Sequence, residues 1–406
     1  MKRKKLLVSI VLCLVLTTFS GGSVLNNLLS CLKQTVNGHP HIITRPNGGF
    51  FAIWYEVERI YPIPDMFVYE YRAFYQVLDE KGKTLIPKTE LEFWKDDHYG
   101  VPAFDENSIL FIDRNEVLIV ARKMVHAFSN PPGYRLEKVL LDLTDDTVVR
   151  DSIKISFQRC SIVRDNAGNV YAAEVGYAWL HYAEIIQVKP HFGSVMKVIA
   201  RYPREKFMKH YLDSEDNVIT MTSQNDFLVA GRVHSINGEP VHNEPKGWSG
   251  LPNRVACFLV DTAGKEKIDS YEIDLAQAAF RRIPGVHMGI AGSGSSHEGF
   301  DFTGLPNGDI VLSVMGLTED NAFCMYQVLF DSCGRLKKPE ALEEVVPKQI
   351  PDDFSLPIMK IKRIITYHEY DPKTRKMPID HGYVLFGFDK DGNYYEERMR
   401  WKEGDR

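Results

Sequence analysis

An imidazole and two carboxylates lie close together in the segment AGSGSSHEGFDF, residues 291–302. They belong to His297, Glu298 and Asp301, which we take as the candidate catalytic residues. A histidine beside carboxylates can act as a general acid or base, and the same groups can bind a cation. The preceding glycines would allow a ligand to approach the backbone closely. The alternative is a flexible insertion whose polar residues cap turns.

A second candidate cluster is KDDHYG, residues 95–100, where acidic, basic and aromatic groups occur together. Its candidate ligand-binding residues are Asp97, His98 and Tyr99. The alternative interpretation is a solvated linker between two structural units.

Aromatic rings in two further segments could stack on a sugar ring. Trp248 lies in the long excursion at residues 231–254, and long loops of compact domains tend to be functional or disordered. Tyr177 and Trp179 lie in EVGYAWLHY, residues 174–182. The alternative for each ring is ordinary packing beside a strand.

Basic residues form the last candidate set. Arg122 ends a predicted strand, and further arginines follow at positions 201, 204, 281 and 282. An arginine that faces a ligand can hold a carboxylate through two parallel hydrogen bonds. Scattered surface arginines are the alternative.

The sequence lacks the motifs of several common enzyme classes. It contains no Gly-rich phosphate loop, GxSxG elbow or HExxH helix, and no CxxC or Cys/His spacing. We therefore predict no cofactor and no bound metal. A net charge of −5 and a pI near 6.2 argue against a nucleic-acid partner. A glycosidase would need two carboxylates at a defined separation, which a sequence does not provide.

The N-terminus predicts export. MKRKK is followed by the apolar run LLVSIVLCLVLTTFS, residues 6–20, and then by small residues. This is the pattern of a secretory signal peptide, and the run is short for a membrane span, which needs about 20 apolar residues. We assign residues 1–23 to the signal, 24–38 to a linker and 39–402 to one domain.

Cys31 raises a second possibility for the N-terminus. Leu28-Leu29-Ser30-Cys31 is similar to a bacterial lipobox, in which the cysteine is lipidated and tethers the protein to a membrane. The alternative is an amphipathic segment, VLNNLLSCLKQ, that follows an ordinary cleavage. In the body of the chain, Cys324 and Cys333 flank one predicted strand, so either a disulfide or two free thiols fits the sequence.

A four-fold turn motif indicates the architecture that must position these residues. An apolar run ends in Asp-x-x-Gly at residues 79–82, 261–264, 331–334 and 389–392. Aspartate can close a tight turn through its side chain, and glycine accepts the positive φ that such a turn requires. Each copy therefore predicts a β-hairpin.

A second hairpin family alternates with the first. Its turns lie in segments 44–55, 112–122, 164–175, 212–223 and 304–315, and each precedes a strand that is apolar at nearly every position. Such strands are typical of burial on both faces. Two hairpins make a four-stranded unit, and the predicted units begin near residues 40, 107, 158, 208, 298 and 356.

Four-stranded units that bury both faces pack radially in a β-propeller. The fold class predicted is therefore all-β, a β-propeller with six four-stranded blades; five or seven blades, or a pair of β-sandwiches, are the alternatives. The strand rhythm of residues 40–402 resembles that of exported six-bladed propellers, sialidase-like or similar. The Ser-x-Asp-x-Gly-x-x-Trp box of many sialidases is absent, so no functional residue is carried over.

Two classes of function follow as expectations. The leading one is an exported, monomeric propeller that binds a glycan or a protein partner through its loop face. The alternative is a carbohydrate-active enzyme, a glycoside hydrolase or polysaccharide lyase, that uses the candidate catalytic residues.

Overall fold

The computed structural model describes residues 24–35, 40–63, 66–91, 108–126, 133–145, 147–154, 161–175, 182–188, 197–203, 212–233, 235–236, 239–240, 254–285, 300–320, 322–350, 356, 358–366 and 379–400. The described strands form six small antiparallel sheets arranged as a six-bladed β-propeller. The predicted fold class is therefore confirmed.

The first four blades each contain four antiparallel strands that follow one another along the chain. Blade 1 consists of β1 (His41–Thr44), β2 (Phe50–Ile63), β3 (Met66–Leu78) and β4 (Thr84–Leu91). Blade 2 consists of β5 (Ile109–Phe111), β6 (Glu116–His126), β7 (Gly133–Asp142) and β8 (Val148–Lys154). Blade 3 consists of β9 (Ser161–Arg164), β10 (Val170–Val175), β11 (Tyr182–Val188) and β12 (Lys197–Pro203).

Blade 4 contains β13 (Leu212–Met221), β14 (Phe227–Val233), β17 (Arg254–Val260) and β18 (Glu266–Asp274). A two-stranded ribbon, β15 (Ser235–Ile236) and β16 (Glu239–Pro240), lies within the excursion between its second and third strands. One turn of helix, α2 (Leu275–Ala278), follows β18, and the side chain of Asp274 caps it.

Blades 5 and 6 depart from four strands. Blade 5 combines β20 (Phe300–Gly304), β21 (Ile310–Leu317) and β22 (Phe323–Phe330) with an outer strand, β19 (Arg281–Pro284), that precedes them in the chain, and with the short β23 (Glu343–Glu344). After β22 the chain pairs back onto β22 at a single bridge, between Phe330 and Leu336. Pro339 follows, and a proline cannot donate to a strand ladder. Blade 6 has three strands, β24 (Ile358–Thr366), β25 (Ile379–Phe388) and β26 (Tyr394–Arg400).

All four Asp-x-x-Gly segments form the predicted turns. In each, the aspartate Oδ1 accepts the backbone N–H groups of the second and fourth residues that follow, at 2.8–2.9 Å. The glycine of each turn has a φ of 79–85°, where a glycine has no steric penalty.

One predicted turn is wrong. The segment 212–223 is not a hairpin, because residues 212–221 form the single strand β13 with a register shift between Leu212 and Asn217. The turn lies further on, at residues 222–226, where the Thr222 hydroxyl accepts the N–H of Asp226. The polar residues before Val218 lie at an irregularity within β13 and do not mark the end of a strand.

The strands are apolar throughout because each blade packs on two neighbours. In β2, Phe51 and Ile53 join a cluster with blade 2. Their neighbours Phe50, Ala52 and Trp54 point to the opposite face and join a cluster with blade 6. Corresponding clusters join blades 2 and 3, 3 and 4, 4 and 5, and 5 and 6, so the ring is continuous.

Residues 24–35, assigned to a linker from the sequence, form the helix α1 (Val24–Thr35). Its leucines at positions 25, 28, 29 and 32 are buried in the cluster that joins blades 6 and 1. This spacing places them on one helix face. α1 therefore covers the junction at which the first and last blades meet.

The four cysteines of the described residues are free thiols: Cys31, Cys257, Cys324 and Cys333. The disulfide alternative for Cys324 and Cys333 is thus wrong in this structure. Cys324 is buried within β22, and burial raises the pKa of its thiol to about 11.

Connection lengths show which strand blade 6 lacks. In blades 1 to 5 the first and second strands are joined by four or five residues, whereas 12 residues separate β24 from β25. The tight turn of blade 6, at residues 389–392, joins β25 to β26, as the turns at residues 79–82 and 261–264 join the third and fourth strands of blades 1 and 4. β24–β26 therefore correspond to the second, third and fourth strands of other blades. Within the described part of the chain, blade 6 has no equivalent of the first strand, and β24 takes the place beside the channel.

Candidate functional site

A cavity of about 460 Å³ lies where the inner strands of blades 1, 2, 5 and 6 meet. It is lined by Ile42, Ile43, Thr44, Arg45, Pro46, Ile109, Leu110, Phe111, Asp301, Met359, Lys360, Ile361 and Lys362. Ligand pockets in proteins commonly enclose about 300–1,000 Å³. Because β24 here takes the place of a missing first strand, the cavity lies beside the incomplete blade 6.

The alternation of β24 aims two lysines at blade 5. Ile361 packs into the cluster between blades 6 and 1, so its neighbours Lys360 and Lys362 point to the opposite face. There the Nζ of Lys360 lies 2.7 Å from Oδ2 of Asp301, and the Nζ of Lys362 lies 3.8 Å from the same oxygen. Lys360 also donates to the backbone carbonyl of Phe302. One carboxylate thus sits between two ammonium groups.

The three charged side chains differ in their access to solvent. The side chains of Lys362 and Asp301 are 3% and 9% exposed, whereas that of Lys360 is 28% exposed. A charge removed from water needs a partner of opposite charge or several hydrogen bonds. The Asp301–Lys362 pair therefore forms the buried base of the cluster, and Lys360 is its solvent-facing part.

Arg45 brings a third cation to the cavity. It follows β1, and its backbone is fixed in the turn by hydrogen bonds with Gly48 and Gly49. Its Nε atom is buried and has no hydrogen-bond partner among the described residues. Burial lowers the pKa of the Arg45 guanidinium, but an arginine stays protonated in proteins. The cavity lining described here thus contains three cations and one carboxylate.

A buried polar row continues from Asp301 to the outer edge of blade 5. Asp301 pairs in register with Ser313, Ser313 with Gln327, and Gln327 with Arg281. Side-chain hydrogen bonds of 3.5 Å connect Gln327 to Ser313 and Arg281 to Gln327. Such a row must keep one register to remain satisfied. It therefore fixes the strand on which Asp301 reaches the channel.

Of the candidate residues from the sequence, Asp301 is the one that the structure places in this cavity. Arg122 lies in β6 opposite Leu136, and its side chain is outside the described part of the structure. Arg201 lies in β12, and Arg281 and Arg282 lie in β19; none of them is among the described residues that line this cavity. The other candidates lie outside the described residues: His297, Glu298, Asp97, His98, Tyr99, Tyr177, Trp179, Arg204 and Trp248.

Sequence reasoning missed Arg45, Lys360 and Lys362. A signal was present in β24, IMKIKRIIT, where Lys360 and Lys362 alternate with Met359 and Ile361 in the first half of the strand. Alternation of this kind predicts one apolar and one polar face. The partner of the polar face, Asp301, is distant in sequence, so the cluster itself was not predictable.

The described residues contain no group of three or more His, Cys, Asp or Glu side chains that could hold a metal ion. None of the helices in the described ranges is long and apolar enough to cross a membrane.

No protein-family model and no curated protein matches the sequence. Among solved structures, the chain is similar to a GH43 endo-arabinanase from Bacillus licheniformis, with 12% identity, a TM-score of 0.34 and coverage of 73% of this chain and 95% of that one. It is also similar to the β-propeller domain of the Trilobed protease from Pyrococcus furiosus, with 11% identity, a TM-score of 0.33 and coverage of 71% and 75%. A third is an exo-1,5-α-L-arabinanase from a bovine ruminal metagenomic library, with 10% identity, a TM-score of 0.31 and coverage of 88% and 96%.

At such identities and TM-scores these similarities carry no argument about superfamily or function, and no finding supports the sialidase-like group in particular. Fold and cavity together define a class: a six-bladed β-propeller with a charged cavity beside an incomplete blade.

Proposed function

We propose that this protein is an exported propeller that binds a small polar ligand, such as a glycan fragment, in the cavity beside β24. The observation that carries this proposal is the charge of the cavity lining. Burying charge costs free energy that an apolar lining would not. The volume is that of a small-ligand pocket.

The lining also offers apolar contact. Ile43, Leu110 and Met359 border the cavity and are each partly exposed. A mostly apolar wall with a few charged groups is the usual composition of a small-molecule site. The polar groups would orient the ligand, and the apolar side chains would contact its body.

Export is supported by the basic and apolar N-terminal segment, and α1 favours cleavage without lipidation at Cys31. Lipidation would make Cys31 the first residue, so Leu25, Leu28 and Leu29 would be removed from the cluster between blades 6 and 1. Cleavage before Val24 keeps the whole helix. We therefore favour a secreted or periplasmic form without a lipid tether.

The binding proposal is tested by titration of the purified protein with a panel of neutral and acidic oligosaccharides, followed by melting temperature and calorimetry. The expected result is a ligand whose effect is lost in Lys360→Gln. It should be retained in Lys390→Gln, a matched change at an exposed turn residue. Binding that Lys360→Gln, Arg45→Gln and Ile43→Ala all leave unchanged would place the site elsewhere and overturn the proposal.

A second candidate function is a carbohydrate-active enzyme. Asp301 favours it, because the carboxylate of this residue lies on an innermost strand. A hydrolase needs a second carboxylate about 5–9.5 Å away, and Asp301 is the sole carboxylate in the described cavity lining. The test is release of reducing or unsaturated ends from polysaccharides. Turnover that Asp301→Asn abolishes, in a variant with an unchanged melting temperature, would favour the enzyme over the binding protein.

A further inference from the structure

The charges of the cavity differ in how far a ligand could reach them. The only carboxylate of the described lining, Asp301, is nearly buried and lies against Lys360 and Lys362. Lys360 and Arg45 are both partly exposed. An incoming molecule therefore meets cationic groups first, and the negative charge lies behind them.

Arg45 adds an observation that is independent of the charge count. Arg45 lines the cavity; its Nε atom is buried, and no described residue accepts a hydrogen bond from it. A buried donor without an acceptor is destabilising, so such a group in a native protein calls for an explanation. A ligand acceptor toward which the Arg45 side chain turns its Nε would supply one, since a guanidinium is matched in shape to a planar oxyanion.

We infer that the ligand carries an oxyanion, a carboxylate or a sulfate, which binds Arg45 and Lys360 in this cavity. This inference rests on the proposed binding function. A ligand cation is disfavoured because Arg45 and Lys360 stand before Asp301. A long polyanion is disfavoured because the whole chain carries a net charge of −5. The inference therefore points to a small acidic molecule, such as one or two rings of an acidic saccharide.

The body of the ligand has a defined place. The cavity lining also includes three apolar side chains, those of Ile43, Leu110 and Met359. Removing one of their side chains would weaken neutral and acidic ligands alike, because apolar burial does not depend on charge. The charged and the apolar parts of the lining can thus be tested separately.

The test compares methyl glucuronide, methyl glucoside and glucose 6-sulfate by calorimetry at low and high salt. Methyl glucuronide is expected to bind at least about 10-fold more tightly than methyl glucoside, since hydrogen bonds to charged groups are worth about 1.5–3 kcal/mol. The preference should shrink as salt rises. It should disappear in Arg45→Gln and persist in Lys390→Gln. Glucose 6-sulfate distinguishes a site for any oxyanion from one that needs a planar carboxylate.

Lys360→Gln separates the inference from a loss of fold. Because Lys360 also pairs with Asp301, the melting temperature of this variant must be measured, and Lys360→Arg should restore part of the preference. If methyl glucoside and methyl glucuronide bind equally and Ile43→Ala weakens both, the inference of an oxyanion is overturned. The proposed binding function is kept in that case. Sodium sulfate is the fourth probe: sulfate binding that requires Arg45, without saccharide binding, would support the oxyanion and overturn the glycan ligand. No binding of any probe would overturn both.

Discussion

At the scale of single residues, Asp165 shows how a turn aspartate contributes to stability. Its carboxylate accepts the N–H groups of Ala167 and Asn169, the side-chain amide of Asn169 and the hydroxyl of Tyr171. Burial by itself raises the pKa of Asp165, but these hydrogen bonds outweigh it and the pKa is lowered. Burial and the same carboxylate raise the pKa of Tyr171 to about 12.

This geometry predicts the pH dependence of stability. A carboxyl group with a lowered folded-state pKa contributes stability above its unfolded pKa of about 4, and this contribution is lost as pH falls through the folded pKa. Asp165→Asn should therefore cost about 1–3 kcal/mol near pH 7 and flatten the loss of stability at acid pH. Urea unfolding between pH 3 and pH 7 measures both. Asp320→Asn, at an exposed turn, is the control, and an unchanged acid slope in Asp165→Asn would refute the assignment.

At the scale of elements, α1 rests directly on the turn between β3 and β4. A Cβ at Gly82 would lie 2.7 Å from the backbone N of Leu28 and 2.8 Å from its Cα. Gly168 occupies the same kind of turn, with a φ of 86°, but a Cβ there would meet nothing within 4 Å. The two glycines have the same backbone conformation, but α1 packs directly against Gly82 and not against Gly168.

Alanine at these two glycines should therefore separate turn strain from helix docking. Each change places a side chain in the left-handed region, at a cost of about 1–2 kcal/mol. Gly82→Ala should lose more stability than Gly168→Ala, because α1 must shift as well. Equilibrium unfolding in urea gives the two differences, and circular dichroism reports the helix. Equal losses would mean that α1 does not press on the turn.

The same elements show what a sequence can and cannot predict. Turn signals such as Asp79 and Gly82 act within a few residues, so the hairpins and the blade rhythm could be predicted from local chemistry. The Asp301–Lys360 pair, by contrast, forms between two blades, and nothing local to β24 names its partner. For α1, the spacing of Leu25, Leu28, Leu29 and Leu32 predicts an amphipathic helix. It does not say that the helix packs at the ring junction.

At the scale of the whole molecule, none of the described strands is shared between the first and last blades of the ring. The strands of blade 1 come from residues 41–91 and those of blade 6 from residues 358–400. Their junction is a cluster to which α1 contributes four buried leucines. Tyr383 of β25 also donates to the carbonyl of Pro40, just before β1. Apolar packing, not strand exchange, holds the two ends together.

Because α1 packs at the junction of the first and last blades, removing part of α1 should lower the stability of the protein strongly. A chain that begins at Cys31 lacks Leu25, Leu28 and Leu29, and loss of a single buried leucine side chain typically costs about 2–5 kcal/mol. Its urea midpoint should fall well below that of a chain that begins at Val24. Leu28→Ala should fall between them, and Leu342→Ala, at an exposed position, should change little.

Hydrogen exchange would show where the ring opens. Protection should fall first in β1, β2, β24 and β25, which border the junction, and persist in β14 and β17 of blade 4. Uniform loss of protection would mean that the blades unfold as one unit and that α1 adds stability without closing the ring. Equal midpoints for the two truncations would remove the structural objection to cleavage at Cys31, because the helix would then be dispensable and a lipid-tethered form would keep an intact propeller.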